Sequence, residues 1–555
     1  ATVCIVSAGE DVIVEGDDAE DAFVVIAGRL SILVRQPDGS QRAVNDVGPG
    51  EVIGEMALLT DDRRSATVRA RRDAALLRIT ASDFRSIVLD HPNALMTLTR
   101  TVIQRLNQSI HAARPDPVRS VIGVMPAGSR PGHHEFAGQL ADALDRSVAI
   151  VTERDAEEAV GEDASQGVLA QYLHGLEDRH DFVVLVGDGD ALSWTQLCFR
   201  QSDVVLHVGY VDGLGDFGDH EADLGTSDAV SHLVIVHGAT TPTGTRALVE
   251  ARDRPRHHHV RKGSGEDVDR VARIVMGSSV GLVLGGGGAR GFAHVGVVKA
   301  VREVGIPIDH IGGTSIGASV AASVAMGEEV DRITELVART TFERGSVVDT
   351  TLPSVALARG RRLADGIRSG YGQIEIEDLW LDYFCVSTDL SIGDVHIHRT
   401  GPVWKAVRAS IAIPGVFAPM PSSEGHVLVD GGILDNLPTA PMEAAFDPRI
   451  IVAVDLRAPT HLESEDLPDD GVLSGWGVAG RALMPWRERS QVPGVVESLI
   501  AASLVSGNGE GRTADVILRP PVDDYGFMDF AASVELVEVG YRDAMEHFDK
   551  HGLPA

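Results

Sequence analysis

The chain has 555 residues, enough for about three to four domains at ~150 residues each. Its formal net charge of −32 argues against a nucleic-acid partner and against broad electrostatic attachment to anionic lipid, and leaves a local docking patch open. Hydrophobic content of 44% suffices for several cores, while the three cysteines, Cys4, Cys198 and Cys385, are too few and too scattered for a disulfide framework or a cysteine metal site.

Scattered free cysteines fit a reducing compartment. No run of ~18 apolar residues predicts a membrane-spanning helix. No signal peptide is expected at the start, "ATVCIV", which lacks an initiator Met. These features predict a cytoplasmic protein, soluble or peripheral on the inner face of a membrane. A homo-oligomer is compatible with them.

Residues 1–90 alternate apolar and polar positions between Gly and Asp turns, as in "DVIVEGDD" and "AFVVIAGRLSILVRQPDGS". That spacing predicts a small β-barrel or jelly roll. The following "ASDFRSIVLDHPNALMTLTRTVIQRLNQSIHAA" sets Leu95, Leu98, Val102 and Leu106 at helical intervals. Barrel then helix is the order of a cyclic nucleotide-binding domain, and "IGEMALLTDDRRSATVRA" resembles that family's phosphate-binding cassette. The resemblance implies that Glu55 accepts a ribose hydroxyl and that Gly54 lies against the sugar. It assigns Arg64 to the cyclic phosphate, helped by Ser65 and the amide of Ala66. Arginine suits that task because its planar fork matches a phosphate anion. Arg63 stands where the family often has proline, and an inert cassette kept as a docking domain is the competing reading.

From residue 117 the pattern changes. Continuous apolar runs, "SVIGVMP", "SVAIVT", "DFVVLVG", "DVVLHVG" and "HLVIVHG", alternate with amphipathic stretches such as "HEFAGQLADALDR". This predicts a parallel sheet covered on both faces. The first strand enters "PAGSRPGHHEF", which lacks the lysine of a phosphate-binding P-loop. Phosphate hydrolysis is therefore rejected, and the module reads as structural. The run His257–His259 reads as a polar strand end rather than a metal site, since successive strand residues face opposite ways.

The third region opens "SVGLVLGGGGARGFAHVGVVKAVREVGIPIDHIGGTSIGASVAASVAMG". A strand over Val280–Leu284, a glycine loop and a helix are followed by a strand over Ile306–Ile311 and a helix from about Ile316 to Met326. Ser315 falls on the turn between the last two, the context of a nucleophile elbow. "GSSVG" (277–281) fits the same G-x-S-x-G expression, but a strand follows it, so Ser278 and Ser279 read as linker residues. Upstream, Gly286, Gly287 and Gly288 can aim backbone N–H groups at an oxyanion, with the helix near Gly291 adding its positive end. A dinucleotide fingerprint through Gly286, Gly288 and Gly291 competes, with Asp309 near the distance where a ribose-binding acid is wanted. In "HVLVDGGILDNLP", Asp430 ends an apolar strand and offers a base.

The motifs "GGGGARG", "GTSIG" and "DGG", in this order, resemble the patatin-like phospholipase family, as does "AVRASIAIPGVFAPM" (406–420). The resemblance implies a Ser315–Asp430 dyad without catalytic histidine, an oxyanion site around Gly286, Gly287, Gly288 and Arg290, and no catalytic cofactor or metal. His294 and His426 then serve packing or a polar rim. With "WTQLCFRQSDVVLHVG" in the middle and the cassette in front, the domain order resembles the neuropathy target esterase family across nearly the whole chain. The sequence departs from animal members in the one cassette it shows and in having no predicted membrane helix, where those members have several cassettes and an N-terminal anchor. The expected architecture is multidomain α/β. It comprises a cyclic nucleotide-binding type β-barrel over 1–115, a parallel α/β module over 116–275 and a patatin-like α/β hydrolase-type domain over 276–555. The resemblance implies a serine hydrolase of (lyso)phospholipid esters, with cyclic nucleotide as an allosteric ligand. A cyclic-nucleotide-sensing scaffold with little or no esterase activity is the alternative. Residues 469–494 carry Trp476, Leu483, Met484 and Trp486, which either touch a lipid interface or pack on their own domain.

Overall fold

A stretch such as Asp21–Ala27, with its inward positions buried and others half-open, is built for one face of an antiparallel sheet. The front of the chain makes two such sheets. The computed structural model describes residues 1–35, 41–60, 62–90, 120–162, 164–189, 192–215, 229–252, 256–341, 349, 351, 355–456 and 514–554. They fall into two units, 1–241 with 247–277, and 242–246 with 278–555.

In the first unit, strands β1 (Thr2–Val6), β2 (Asp11–Ile13), β3 (Asp21–Ala27), β4 (Leu30–Arg35), β5 (Gln41–Val47), β6 (Val52–Ile53), β7 (Thr67–Ala70) and β8 (Ala74–Thr80) form sheets in the orders β1-β8-β3-β6 and β2-β7-β4-β5. Val25, Leu30, Val47, Ile53 and Leu76 fill one core between them. Helix α1 (Glu55–Thr60) sits between β6 and β7, and α2 (Ala81–Asp90) follows β8. The remainder of the expected helix, including Leu95, Leu98, Val102 and Leu106, lies outside the described residues.

The same unit continues into a parallel sheet of β9 (Val121–Pro126), β10 (Val148–Val151), β11 (Phe182–Val186), β12 (Val204–Tyr210), β13 (Val230–His237) and β14 (His257–Arg261), ordered β10-β11-β9-β12-β13-β14. Apolar cores cover both faces, as continuous aliphatic strands require. A buried ion network ties the barrel to this sheet. Arg72, only 2% exposed, lies 3.2 Å from Glu177 and 3.4 Å from Asp203, and Arg200 lies 3.1 Å from Asp73. The histidine run differs from expectation. His258 and His259 are buried and bond to His232 and His237 of the adjacent strand at 2.7 and 2.8 Å. Strand order, invisible locally, supplies those partners.

The second unit is built on a mixed sheet. Its strands are β15 (Val280–Leu284), β16 (His310–Thr314), β17 (Asp382–Asp389), β18 (Asp394–His398), β19 (Met420–Pro421), β20 (Val427–Asp430), β21 (Ile450–Val454) and β22 (Val516–Leu518). The order is β19-β20-β17-β16-β15-β21-β22, with β18 on β17; β15, β16, β17, β21 and β22 run parallel. Helix α3 (Phe292–Glu303) follows β15, α4 (Ile316–Ala325) follows β16, and α5 (Val403–Ser410) precedes β19. The C-terminal helix α6 (Ser533–His551) packs closely on α3, because Gly296 and Gly540 leave no room for a side chain between the backbones. The expected strand over Ile306–Ile311 is displaced to His310–Thr314. Pro307 has no N–H for a ladder, whereas Gly312 admits the Phe384 ring, which a Cβ would meet at 2.1 Å. The strand therefore delivers the chain directly to Ser315.

Candidate active site

Ser315 stands between the end of β16 and the start of α4, with φ 57° and ψ −122°. A positive φ is costly for any residue with a Cβ, and such strain collects at functional sites. The surroundings hold it there. The Ser315 N–H donates to Ser410 Oγ at 2.8 Å, and Thr314 Oγ1 donates to the Asp435 carbonyl at 2.9 Å. Gly317 lets the start of α4 press against β15, since a Cβ there would meet the Leu284 carbonyl at 2.2 Å.

Ser315 Oγ donates to Asp430 Oδ2 at 2.8 Å, across 115 residues of sequence. The other carboxylate oxygen accepts the Gly432 N–H at 2.8 Å. Both residues are nearly closed off, 6% and 7% exposed. Burial pushes the Asp430 carboxyl up to about 6, against the lowering effect of the Gly432 and Ser315 hydrogen bonds. A carboxylate so placed is a stronger base than one in water and still ionises at neutral pH.

The glycine loop closes the other side. Gly288 has φ 59°, and a Cβ there would meet the Phe527 carbonyl at 2.4 Å. Among the described residues, the N–H groups of Gly287 and Gly288 meet no acceptor. The expected donor set is narrower than the sequence suggested. The Gly286 N–H is directed to the Asn436 carbonyl at 3.2 Å, and Arg290 Nε donates to the Tyr525 carbonyl at 2.8 Å. Arg290 thereby anchors the loop. Asn436 Nδ2 returns a contact to the Gly286 carbonyl at 3.3 Å. The segment 430–436 therefore touches dyad, elbow and glycine loop together. Ser410 and Asn436 had no assigned role in the sequence, because nothing local marks partners so distant along the chain.

The competing features fall elsewhere. Asp309 Oδ2 accepts the Val280 N–H at 2.9 Å and is fully buried, so it clips two strand starts together rather than facing a ribose. Ser279 leads into β15 with its Oγ 3.2 Å from His310 Nε2. His294 Nε2 donates to the Gly285 carbonyl at 2.7 Å, and burial lowers its pKa to about 4. His426 pairs with Asp389 at 2.7 Å. Neither histidine bonds Ser315 or Asp430. After β9, the Ser129 N–H donates to the Gly213 carbonyl at 3.0 Å, so a neighbouring segment occupies the crook where a P-loop would cradle phosphate. No group of three His, Cys, Asp or Glu among the described residues is arranged to hold a metal ion, and no helix among them is long and apolar enough to cross a membrane. Trp476, Leu483, Met484 and Trp486 lie outside the described residues.

A pocket of about 250 Å³ opens in the front domain. Gly54, Glu55, Arg64, Ser65 and Ala66 line it together with aliphatic side chains including Ile32, Val34 and Val44. The Arg64 guanidinium donates to the carbonyls of Gly54 at 2.8 Å and Asp21 at 2.6 Å, which leaves three of its five N–H donors uncommitted among the described residues. Burial lowers its pKa, against the nearby charges of Asp21, Glu55 and Asp17.

Comparisons with known proteins divide the chain the same way. Residues 282–442 match the patatin-like phospholipase model, 4–91 the cyclic nucleotide-binding domain and 119–278 the neuropathy target esterase family P-loop like domain. Lysophospholipase nte1 of Neurospora crassa is 31% identical over 98% of this chain and 42% of its own length. Patatin-like phospholipase domain-containing protein 7 of Rattus norvegicus is 29% identical over 98% of this chain and 45% of its own. The chain thus spans less than half the length of these relatives. Among solved structures, a cyclic nucleotide-binding domain from Methylobacillus flagellatus is 19% identical, covering 19% of this chain and 62% of that one with a TM-score of 0.18.

Proposed function

We propose that this chain, which carries a patatin-like phospholipase domain behind a cyclic nucleotide-binding domain and a neuropathy target esterase P-loop like domain, hydrolyses carboxylic esters of single-chain lipids, lysophospholipids foremost. The observation that carries the reading is the 2.8 Å bond from the strained Ser315 to the buried Asp430. Asp430 takes the Ser315 proton as Oγ attacks the ester carbonyl carbon. The carbonyl oxygen becomes an oxyanion facing the Gly287 and Gly288 amides, which stabilise it by several kcal/mol. As the tetrahedral centre collapses, the C–O bond to the leaving alcohol breaks and Asp430 returns the proton to that oxygen. Water then attacks the acyl-serine, giving its proton to Asp430; the C–Oγ bond breaks, Asp430 returns the proton to Ser315 Oγ, and the fatty acid is released. Nucleophile and base are both side chains, so the reading asks for no catalytic cofactor.

The domain boundaries are proposed near residues 115 and 275. The front pocket is proposed to take a cyclic nucleotide, its phosphate at Arg64 and Ser65 and its ribose at Gly54 and Glu55, as a regulatory ligand. We place the protein in the cytoplasm, peripheral to the membrane. Two lines favour a monoacyl substrate. The relatives above include a protein named lysophospholipase. A single chain also leaves a lipid aggregate readily, since each buried CH₂ holds it by ~0.8 kcal/mol. Initial rates on lysophosphatidylcholine, phosphatidylcholine and triacylglycerol in matched micelles test this. Lysophosphatidylcholine should be fastest, and preference for either of the others overturns the substrate while leaving Ser315 as nucleophile.

A further inference from the structure

The register of the second sheet places a set of exposed aliphatic side chains on the edge where the dyad opens. Thr314 pairs with Val386, and Asp430 pairs with Ser387 one row further out. Continuing outward, Asp389 pairs with Leu428, and the Leu390 N–H donates to the Val427 carbonyl at 2.9 Å. Val427 is three residues from Asp430 along β20, about 10 Å at ~3.3 Å per residue. The β17–β18 hairpin therefore extends beyond the dyad row at the ends of the parallel strands, where ligands approach such sheets. Its tip bears Leu390 at 55% and Ile392 at 65% exposure, with Val427 at 41% beside them. The backbone of the tip is fixed: Asp389 Oδ1 accepts the Ser391 N–H at 2.9 Å, and Ser391 Oγ accepts the Val427 N–H at 3.0 Å. The turn holds its aliphatic side chains outward.

A second set hangs from the segment that runs from Ala412, whose carbonyl accepts the Asp430 N–H, to Pro421 in β19. There the Leu357 N–H donates to the Gly415 carbonyl at 2.8 Å. Residues 355–360 alternate outward and inward, showing Val355 (71% exposed), Leu357 and Arg359 while burying Ala356 and Ala358. Arg361 and Arg362 follow, both exposed. Scattered exposed aliphatics need no explanation, but several attached to one catalytic edge do. Three arginines within four residues are a local exception in a chain of net charge −32.

We propose that this edge docks on a phospholipid surface, Leu390 and Ile392 entering the interface while Val355, Leu357 and the arginines of 359–362 engage its acyl boundary and phosphates. The overall charge repels an anionic membrane, so attachment has to be local, and apolar insertion beside a short basic run supplies it. The proposal rests on the ester-hydrolase reading of Ser315. It sets the docking edge about 10 Å along β20 from Asp430.

Flotation with phosphatidylcholine vesicles, with and without phosphatidylglycerol, tests it beside turnover of soluble p-nitrophenyl butyrate. The wild-type chain should float with both and more strongly with phosphatidylglycerol. Leu390→Ser with Ile392→Ser should reduce partitioning about tenfold or more. Arg361→Ala with Arg362→Ala should remove the phosphatidylglycerol increment, about fivefold per arginine. All should turn over the soluble ester alike. Wild-type flotation unchanged by the hairpin pair overturns the docking surface, as does a wild-type chain that does not float. A wild-type dimer that the hairpin pair converts to monomer, with equal vesicle recovery, makes the edge a contact between two copies and also overturns it. Failure of wild type on the soluble ester, whatever the flotation result, instead removes the hydrolase reading.

Discussion

The Ser315 site and the front pocket each present polar side chains beside glycine-rich turns, yet they differ in what those groups are doing. At Ser315 the proton acceptor is already in place at 2.8 Å, and among the described residues two loop amides are left without acceptors. At Arg64 two donors are already engaged by the Gly54 and Asp21 carbonyls, and aliphatic side chains make up much of the lining. One site holds a strained serine against a buried carboxylate. The other holds its cation in a backbone clasp that a ligand would have to share. Catalysis gains from the first arrangement because nothing need reorganise as charge develops, whereas a regulatory pocket can work with the second.

The contrast is broken most severely at the serine. Ser315→Ala should remain folded and lose ester turnover by at least about three orders of magnitude, because no neighbouring group replaces the alkoxide. Asp430→Asn should be similarly inactive, since an amide cannot take the proton, and circular dichroism beside rate assays checks both.

Acid should act next. With the Asp430 carboxyl raised to about 6, kcat/KM should fall below that pH about tenfold per unit. The same shift has a consequence for stability. A carboxyl whose folded pKa is raised adds stability that is complete below its ordinary value and lost as pH rises through about 6. Ionised Asp430 therefore costs the folded state about 1–3 kcal/mol at neutral pH. Asp430→Asn should unfold at higher denaturant than wild type there, and the gain should vanish below about pH 4. An acid limb well below 5, or no gain for the asparagine, separates Asp430 from the base role.

Arg64→Ala should have the smallest effect. It removes one charged phosphate partner and costs about 1.5–3 kcal/mol, roughly ten- to a hundredfold in cyclic nucleotide affinity. Calorimetric titration with cAMP and cGMP reads it. Absence of binding to wild type at millimolar ligand makes the front pocket a structural remnant, and the contrast then becomes one between a working site and a vestigial one.

How far these sites can be read from sequence follows from the range of their interactions. Strand, glycine turn and helix around Ser315 are local, so the elbow is legible, and so is its distinction from "GSSVG", where a strand follows. Asp430 is reached through motif order and family resemblance, with the 115-residue separation closed only by the fold. Ser410 and Asn436 act on Ser315 and Gly286 from 95 and 150 residues away and carry no periodic or charge signature. The Gly286 amide illustrates the opposite error. A glycine run predicts available donors, but which amide is used internally depends on the Asn436 turn, brought there by sheet order. The paired histidines of β13 and β14 escape notice for the same reason, since the run His257–His259 shows nothing of His232 or His237.

Ser315 is proposed as the activated nucleophile of this chain. Labelling with a fluorophosphonate probe, followed by digestion and mass mapping, decides this assignment. One stoichiometric adduct should form on the peptide containing Ser315, absent from Ser315→Ala, strongly slowed in Asp430→Asn and slowed at pH below about 6. A principal adduct on any other residue, or labelling that persists in Ser315→Ala, would contradict it.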